Sequence, residues 1–414
     1  MIAKFNDVSW EKFDSVKKGE GFFVSEDGTY VRLFDENPYA ALKKVMYTVG
    51  IDNEKIYTLT VPYKINNIKH KSMVYGMITL YDRDDKQTRR FYLNNREDDK
   101  LGIVFQARDE VKVRIEIGLK AYGDVFFYNP ILETGCEIKK KTVKIATTYL
   151  AGGDGCPYEN NLKRIDKSID EAAQMGADLV CFAETMNDRG TNLKWEEKFE
   201  TMDGTFCTMM RKKAKEKGIF LFFSFHELDE YGARRNTAVL VDRQGEIVGI
   251  HRKSNLTIGE FEGGMVAGDK YEVFDTELGK IGMLICWDSY FPEPARAMAL
   301  RDAEIILIST AGNPTHRHFA RAKENGVYVV VACCGVKDSG VEPSKIITPS
   351  GNVLAEAGQD GEIAFAEIDL YDDLNRNIYW LSVGSAWAEP NNIYMNEIRP
   401  DLFDKIIPDG KYDL

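Results

Sequence analysis

From Thr142 onward the chain alternates short, wholly apolar runs with stretches of helical period, and this alternation leaves room for little but a layered α/β domain. KIATTYL, ADLVCFAE, FLFFSF, KIGMLIC, EIILIST and VYVVVACCG are runs of strand length. A strand that is apolar throughout is one buried on both faces. Between them, NNLKRIDKSIDEAAQMG sets Leu162, Ile165, Ile169, Ala172 and Ala173 on one helical face. Asn160 or Asn161 is placed to cap its start and Gly176 its end. TFCTMMRKKAKEKG, with Phe206, Met209, Met210 and Ala214 on one face, predicts a second helix, and EPARAMALRDA and HFARAKENG two more. NTAVLVDRQGEIVGIHRK, turning at Gln244-Gly245, and KIITPSGNVLAEAG read as hairpins, and GEIAFAEIDL as a last strand. A mixed sheet is expected.

The first 140 residues follow a different period. In VKVRIEIGLK, Val111, Val113, Ile115, Ile117 and Leu119 alternate with Lys112, Arg114, Glu116, Gly118 and Lys120, which predicts one buried face and one wet face. IYTLTVPYKI and SMVYGMITLY are further strands, separated by turn-forming YDRDDKQ and LNNREDD. Only WEKFDSVKK and YAALKKVMY suggest helix here. The expectation is an α+β chain of two domains. Residues 1–140 form an antiparallel, jelly-roll-like β-sandwich and 141–414 an α/β domain, with the basic run at 139–141 as solvated linker.

Composition excludes several roles. The net charge of −12 disfavours nucleic acid or an anionic membrane surface as partner. No run of apolar residues is long enough to span a bilayer, and the N-terminal MIAKFNDVSWEKFDSVKK lacks the apolar core of a secretory signal. Seven cysteines in 414 residues do not form a disulfide framework, so a reducing, cytoplasmic setting is expected. His316 and His318 in NPTHRHF have the spacing of a metal pair. With five histidines in the chain and no Cys or Asp cluster beside them, no metal is expected.

Ligand sites in α/β sheets gather at the carboxyl ends of strands. Glu184 closes ADLVCFAE, Lys253 closes IVGIHRK and Cys286 closes KIGMLIC. Cys286 also opens CWDSYFPEPARAMA, where a helix start would favour its thiolate. Glu184, at the end of so apolar a run, is expected to be desolvated with its pKa raised, as suits a proton carrier. Taken singly, each residue has an ordinary structural reading: a buried thiol, a turn-capping carboxylate, a surface lysine.

Together they resemble the nitrilase superfamily of carbon–nitrogen hydrolases. AET at 183–185, HRKSNL at 251–256, ICWDSYFPEPAR at 285–296, ARAKENGVYVVVA at 320–332 and PSGNVLAEA at 349–357 are similar to its motifs, in the family order. Asn255 stands where histidine is usual, and Ala267 where proline is frequent. The resemblance implies an α-β-β-α sandwich, assembly as a homodimer or larger homo-oligomer, and no cofactor. It implies Glu184 as base, Cys286 as nucleophile, and Lys253 with the Trp287 amide as oxyanion donors. A second glutamate is also implied, for which Glu260 aligns best and Glu262 competes.

Asn313, His316 and Arg317, in the loop after EIILIST, are candidate substrate-binding residues together with Trp287. Asp288, rather than glutamate, after Trp287 directs the reading toward small amide or N-carbamoyl substrates and away from nitriles. Ser289 and Tyr290 stand where hydrolases of carbamoyl amino acids carry carboxylate-binding arginines. An amine-dependent acyltransferase using the same thioester, a non-catalytic scaffold, and a papain-like site with His226 as base are the alternatives. In the N-terminal domain, VRIEIGLKAYGDVFFYNPILE resembles the last strands of galactose-binding-like sandwiches, which makes a carbohydrate a possible partner there.

Overall fold

The computed structural model describes residues 5, 10–14, 21–35, 42–68, 73–94, 99–120, 122–135, 141–151, 155–312, 316–335 and 342–370. The chain divides into two compact units between Lys139 and Lys140. The expectations for 371–414, and for Asn313, lie outside the described residues.

The first unit is all β among its described residues. Its strands are β1 (Glu11–Asp14), β2 (Phe22–Val24), β3 (Tyr30–Asp35), β4 (Lys43–Gly50), β5 (Ile56–Asn66), β6 (Val74–Tyr81), β7 (Gln87–Tyr92), β8 (Lys100–Gln106), β9 (Lys112–Leu119), β10 (Gly123–Tyr128) and β11 (Ile131–Thr134). They form two antiparallel sheets, β1-β4-β9-β6-β7 and β11-β5-β10-β3-β2, with β8 on the free edge of β5. Leu33, Leu59, Val61, Val125 and Phe127 from one sheet share a core with Val45, Ile78, Leu80, Ile115 and Ile117 from the other.

Two expectations change. Glu11–Asp14 and Lys43–Gly50 are paired strands, not helix (Glu11 opposite Met46, Met46 opposite Glu116), because cross-strand burial overrides local propensity. Strands β9 and β10 belong to different sheets, so the segment between them crosses from one sheet to the other. The outer face of β9 is not wet throughout: Glu116 is buried, with Lys44 Nζ at 2.6 Å and Arg90 at 3.6 Å. Gly118 is buried too, and a Cβ there would strike the Tyr75 ring and the Lys43 carbonyl.

The second unit carries β12 (Thr142–Tyr149), α1 (Tyr158–Gln174), β13 (Leu179–Cys181), α2 (Thr205–Lys217), β14 (Phe220–Leu228), β15 (Arg234–Val241), β16 (Ile247–Arg252) and α3 (Ile258–Glu262). It continues through β17 (Val273–Thr276), β18 (Gly279–Ile285), α4 (Pro292–Ala299), β19 (Ile305–Thr310), α5 (Arg317–Asn325), β20 (Tyr328–Cys333), β21 (Ser344–Ile347), β22 (Val353–Ala357) and β23 (Glu362–Asp369). One run of strands is ordered β16-β15-β14-β13-β12 with β23 on β12, and the other β17-β18-β19-β20 with β21 and β22 beyond. The Tyr149–Cys333 pair joins β12 to β20.

The two runs face each other across one apolar core, where Ile145, Leu179, Phe222 and Leu240 meet Ile281, Met283, Leu307 and Val330. On the far side of the first run, Val180, Phe182, Leu221 and Phe223 pack on Ile165 and Ile169 of α1 and Phe206 and Met210 of α2. Helices α4 and α5 pack against β18 and β20 of the second run. The α1 cap differs from expectation. The helix starts at Pro157, and Asn161 lies inside it, donating instead to the Met186 carbonyl at 2.6 Å. No helix among the described residues is long and apolar enough to cross a membrane.

In the first unit, buried Glu110 accepts from Arg89 Nε at 2.7 Å and Nη2 at 2.8 Å, from Thr88 Oγ1 at 2.8 Å and from the Arg108 amide at 2.7 Å. Burial pushes this carboxyl up, but Arg89, the Arg108 amide and Thr88 outweigh it and hold it at about 2. A depressed folded pKa means stability that is full above the ordinary carboxylate range and lost as pH falls toward 2. Glu110→Gln should destabilise this unit at neutral pH by about 3 kcal/mol, because Arg89 keeps a buried charge without its counter-ion. Hydrogen exchange of β7 and β8 amides in the variant, against the parent between pH 7 and pH 3, measures both effects.

Candidate active site

Strands β13, β18 and β19 end at one edge of the sheets. Because β15 is antiparallel to both β14 and β16, its first residues and the last of β16 reach the edge where β14 ends. Glu184 follows β13, Lys253 follows β16, Cys286 follows β18 and Ala311 follows β19. The sheet pairing therefore gathers residues far apart in sequence, and all are buried or nearly so.

Lys253 is 2% exposed, not a surface lysine. Its Nζ donates to Glu184 Oε1 at 2.9 Å and to Glu260 Oε1 at 2.8 Å. Asn236 Nδ2 donates to the same two oxygens, at 2.8 Å and 2.9 Å. The other oxygen of Glu184 accepts from the Ala311 amide at 3.0 Å. Glu260 Oε2 accepts from the Thr257 amide and hydroxyl, so this carboxylate also closes the capping box of α3. Glu262 is exposed on the same short helix. The geometry thus brings Glu260, not Glu262, to Lys253.

Cys286 sits at the strand-to-3₁₀ junction with φ of 42°, a left-handed conformation that costs a residue with a Cβ roughly 1–3 kcal/mol. Burial pushes its thiol up, Glu184 adds to this, and Lys253, the Thr310 hydroxyl and the Ala311 amide offset it only in part, leaving it at about 12. The resting group is a thiol, contrary to the helix-start expectation: only a single 3₁₀ turn follows, and desolvation dominates. Glu184 also departs from expectation. Burial pushes its carboxyl up, but the charges of Lys253 and Arg189 and the hydrogen bonds from Lys253 and Asn236 prevail, holding it at about 2. Lys253 is in turn held charged: burial pushes its pKa down, but the Glu184 and Glu260 carboxylates outweigh desolvation.

Asp288, fully buried, ties the lysine loop to the cysteine turn. Its Oδ2 accepts from His251 Nε2 at 2.9 Å and the Ile285 amide at 3.1 Å, and its Oδ1 from the Ser254 hydroxyl at 2.8 Å and the Asn255 amide at 2.7 Å. The backbone at Asn255, where histidine was the expected residue, is what makes this contact. Arg189, in the loop after Glu184, donates to the Glu184 carbonyl at 3.0 Å and to Thr185 Oγ1 at 3.0 Å.

The substrate-binding candidates divide. The Trp287 ring lies 4.1 Å from that of Tyr290, and the Arg317 guanidinium 3.9 Å above Tyr290. His316 is exposed beside Phe319, while His318 is buried against Ser289 Oγ at 3.3 Å, so the two imidazoles do not converge. Burial lowers His318 to about 4, leaving it neutral. Among the described residues no cluster of three His, Cys, Asp or Glu side chains is placed to hold a metal ion. His226 pairs with Asp188 at 2.7 Å and packs on Trp195 and Phe199.

The carbon–nitrogen hydrolase family model matches residues 156–372, more than half of the 414-residue chain. The chain belongs to the carbon–nitrogen hydrolase family. An omega-amidase of Xenopus laevis is 31% identical over 230 residues, covering 51% of this chain and 83% of the relative. An N-carbamoylputrescine amidase of Arabidopsis thaliana is 28% identical over 305 residues, covering 66% and 97%. A nitrilase-superfamily member from Saccharomyces cerevisiae superposes with a TM-score of 0.50 at 27% identity, covering 57% of this chain and 93% of the yeast one.

In this carbon–nitrogen hydrolase, Asn236 and Arg189 were not singled out by sequence, and Asp288 was read there only for substrate choice. The available signals were a polar residue opening the apolar strand NTAVLV and an acid two residues after Cys286. Replacing Asp288 by Asn should lower stability by about 2 kcal/mol, since Oδ atoms that accept from five donors give way to one acceptor and one mismatched NH₂. Urea unfolding followed by Trp fluorescence, alongside alkylation of Cys286, should show both changes together. A loss of stability with unchanged Cys286 reactivity would mean that Asp288 does not tie the two segments.

Proposed function

We propose that the chain hydrolyses the non-peptide C–N bond of a small amide or N-carbamoyl compound through a thioester on Cys286, within a four-layer α-β-β-α domain. The observation that carries this reading is the Lys253 ammonium held between Glu184 and Glu260 at the sheet edge where Cys286 emerges. The names of relatives, an omega-amidase and an N-carbamoylputrescine amidase, favour amide and carbamoyl groups.

The steps follow from the protonation states. The substrate carbonyl carbon lies beside the thiol, with its oxygen toward Lys253 and the Trp287 amide. The thiol proton passes to the Glu184 carboxylate as the S–C bond forms, and the charge moves to the carbonyl oxygen. Donors already in place stabilise this oxyanion. The intermediate collapses as the C–N bond breaks and Glu184 returns the proton to the departing nitrogen, which leaves as ammonia or amine. Water then attacks the thioester, Glu184 takes its proton, and the thiol is restored as the acid product departs. Glu260 holds Lys253 in place and charged.

Ammonia release from a panel of ω-amides, N-carbamoyl amines and nitriles tests the reading. Cys286→Ala should abolish release, and Glu260→Gln should lower kcat/KM by roughly 100-fold while Glu262→Gln stays within about twofold. Release from nitriles alone, or equal effects of the two glutamine variants, would overturn it.

The pH profile is a separate check. Activity needs Glu184 ionised and Cys286 protonated, and their values of about 2 and about 12 lie outside the ordinary working range. The parent kcat/KM should therefore be flat from about pH 5 to pH 9, falling at lower pH as Glu184 gains a proton and at higher pH as the thiol loses one.

A further inference from the structure

We infer that Asn236 is a positioning residue for the reaction: its side-chain amide bridges the two carboxylates and aims Glu184 at the Cys286 thiol. The inference rests on the hydrolase reading above and extends the working set by one residue.

The geometry is a closed square. Two donors, Lys253 Nζ and Asn236 Nδ2, each reach the same two acceptors, Glu184 Oε1 and Glu260 Oε1, with all four separations between 2.8 and 2.9 Å. Each carboxylate is also held at its second oxygen, Glu184 by the Ala311 amide and Glu260 by Thr257. Asn236 adds a second donor at the first oxygen of each and so fixes the two carboxylates relative to one another. With Glu184 Oε1 committed to both donors, only Oε2, beside the Ala311 amide, remains to take a proton. The same Ala311 amide and the Thr310 hydroxyl also bond the Cys286 thiol, so Oε2 faces the sulfur's own surroundings. Asn236 fixes Lys253 as well, through its backbone: the Lys253 amide donates to the Asn236 carbonyl at 2.9 Å.

The orientation of the amide is not arbitrary. Turned over, Asn236 would present its oxygen to two carboxylate oxygens, an arrangement without a hydrogen between any pair. Held as it is, its Oδ1 is buried with no hydrogen-bond partner. A residue chosen only for packing would not strand a buried acceptor at a sheet position where an apolar side chain fits. The stranded oxygen marks the donor pair as the reason an asparagine is there.

The charged and titratable groups that face Glu184 are Lys253 at the end of β16, Glu260 on α3, Arg189 in its own loop, Cys286 on the 3₁₀ turn and Cys334 after β20. Asn236 contributes a neutral donor to this group, so its removal weakens the hold on the carboxylate form of Glu184 without changing the net charge.

Alkylation of Cys286 by iodoacetamide across pH 4–9, followed by peptide mass spectrometry, tests the inference separately from turnover. In the parent the rate profile should lack an acid limb in this range. Asn236→Ala should slow alkylation at pH 7 by roughly 10- to 100-fold and bring an acid limb above pH 4. Asn236→Asp, which keeps the shape and replaces the donor pair with an acceptor, should move that limb higher still. It also serves as the deciding variant if Asn236→Ala does not fold by circular dichroism. A parent-like rate and profile in either folded variant overturns the role of Asn236. A parent enzyme that alkylates at Cys286 as described yet cleaves no amide, carbamoyl compound or nitrile overturns the reaction instead.

Discussion

An ammonium ion with almost no access to water is the constraint around which the catalytic unit is arranged. Lys253 is 2% exposed, and moving such a charge out of water costs several kcal/mol even after relaxation. Two carboxylates supply the compensation, and they in turn need donors that do not come from solvent. Asn236, the Ala311 amide, Thr257 and the charge of Arg189 answer that need. Each of these arrives on a different strand end, helix or loop. Only a sheet that ends β13, β16 and β19 at one edge brings them within hydrogen-bond reach.

Cys286 is held by a second, separate device. Cys286 occupies a left-handed backbone conformation that its own sequence does not favour. Asp288, two residues on, accepts from the Ile285 amide and from the loop that follows Lys253. The strain is thus opposed by bonds that also set the position of the lysine relative to the sulfur. The two sheet runs share an apolar core, and Asp288, like the Ala311 amide on Glu184, makes a polar connection between them at the edge where these residues gather.

Periodicity made much of this legible from sequence. Apolar runs of strand length, each closed by one ionisable residue, pointed to Glu184, Lys253 and Cys286, and sheet order then places them together. What periodicity does not carry is the identity of a neighbour in space. The Glu184 carboxyl was expected above its usual range because its run is apolar, yet Lys253, Arg189 and Asn236 reverse the direction. Asn236 was passed over, and Asp288 was read only for substrate choice, for a related reason: each works through partners tens of residues away. In the first unit, WEKFD and KKVMY suggested helix by composition. Both form strands because β1, β4 and β9 bury one another's faces, and that benefit exists only once all three have paired.

The resting protonation pattern follows from the same layout. Burial alone would neutralise both the carboxyl and the thiol, since both are acids that lose solvation on ionising. They diverge because the donors are unequally distributed: two point at Glu184 Oε1 and one at Oε2, whereas the thiol has a hydroxyl and an amide against the negative charge of Glu184 beside it. The proton therefore rests on sulfur and the charge on oxygen. A carbonyl oxygen placed near Lys253 changes that balance, because negative charge leaving the sulfur then has a cation to move toward. On the proposed mechanism the thiol need not ionise in advance, because Glu184 takes its proton as the new bond to sulfur forms.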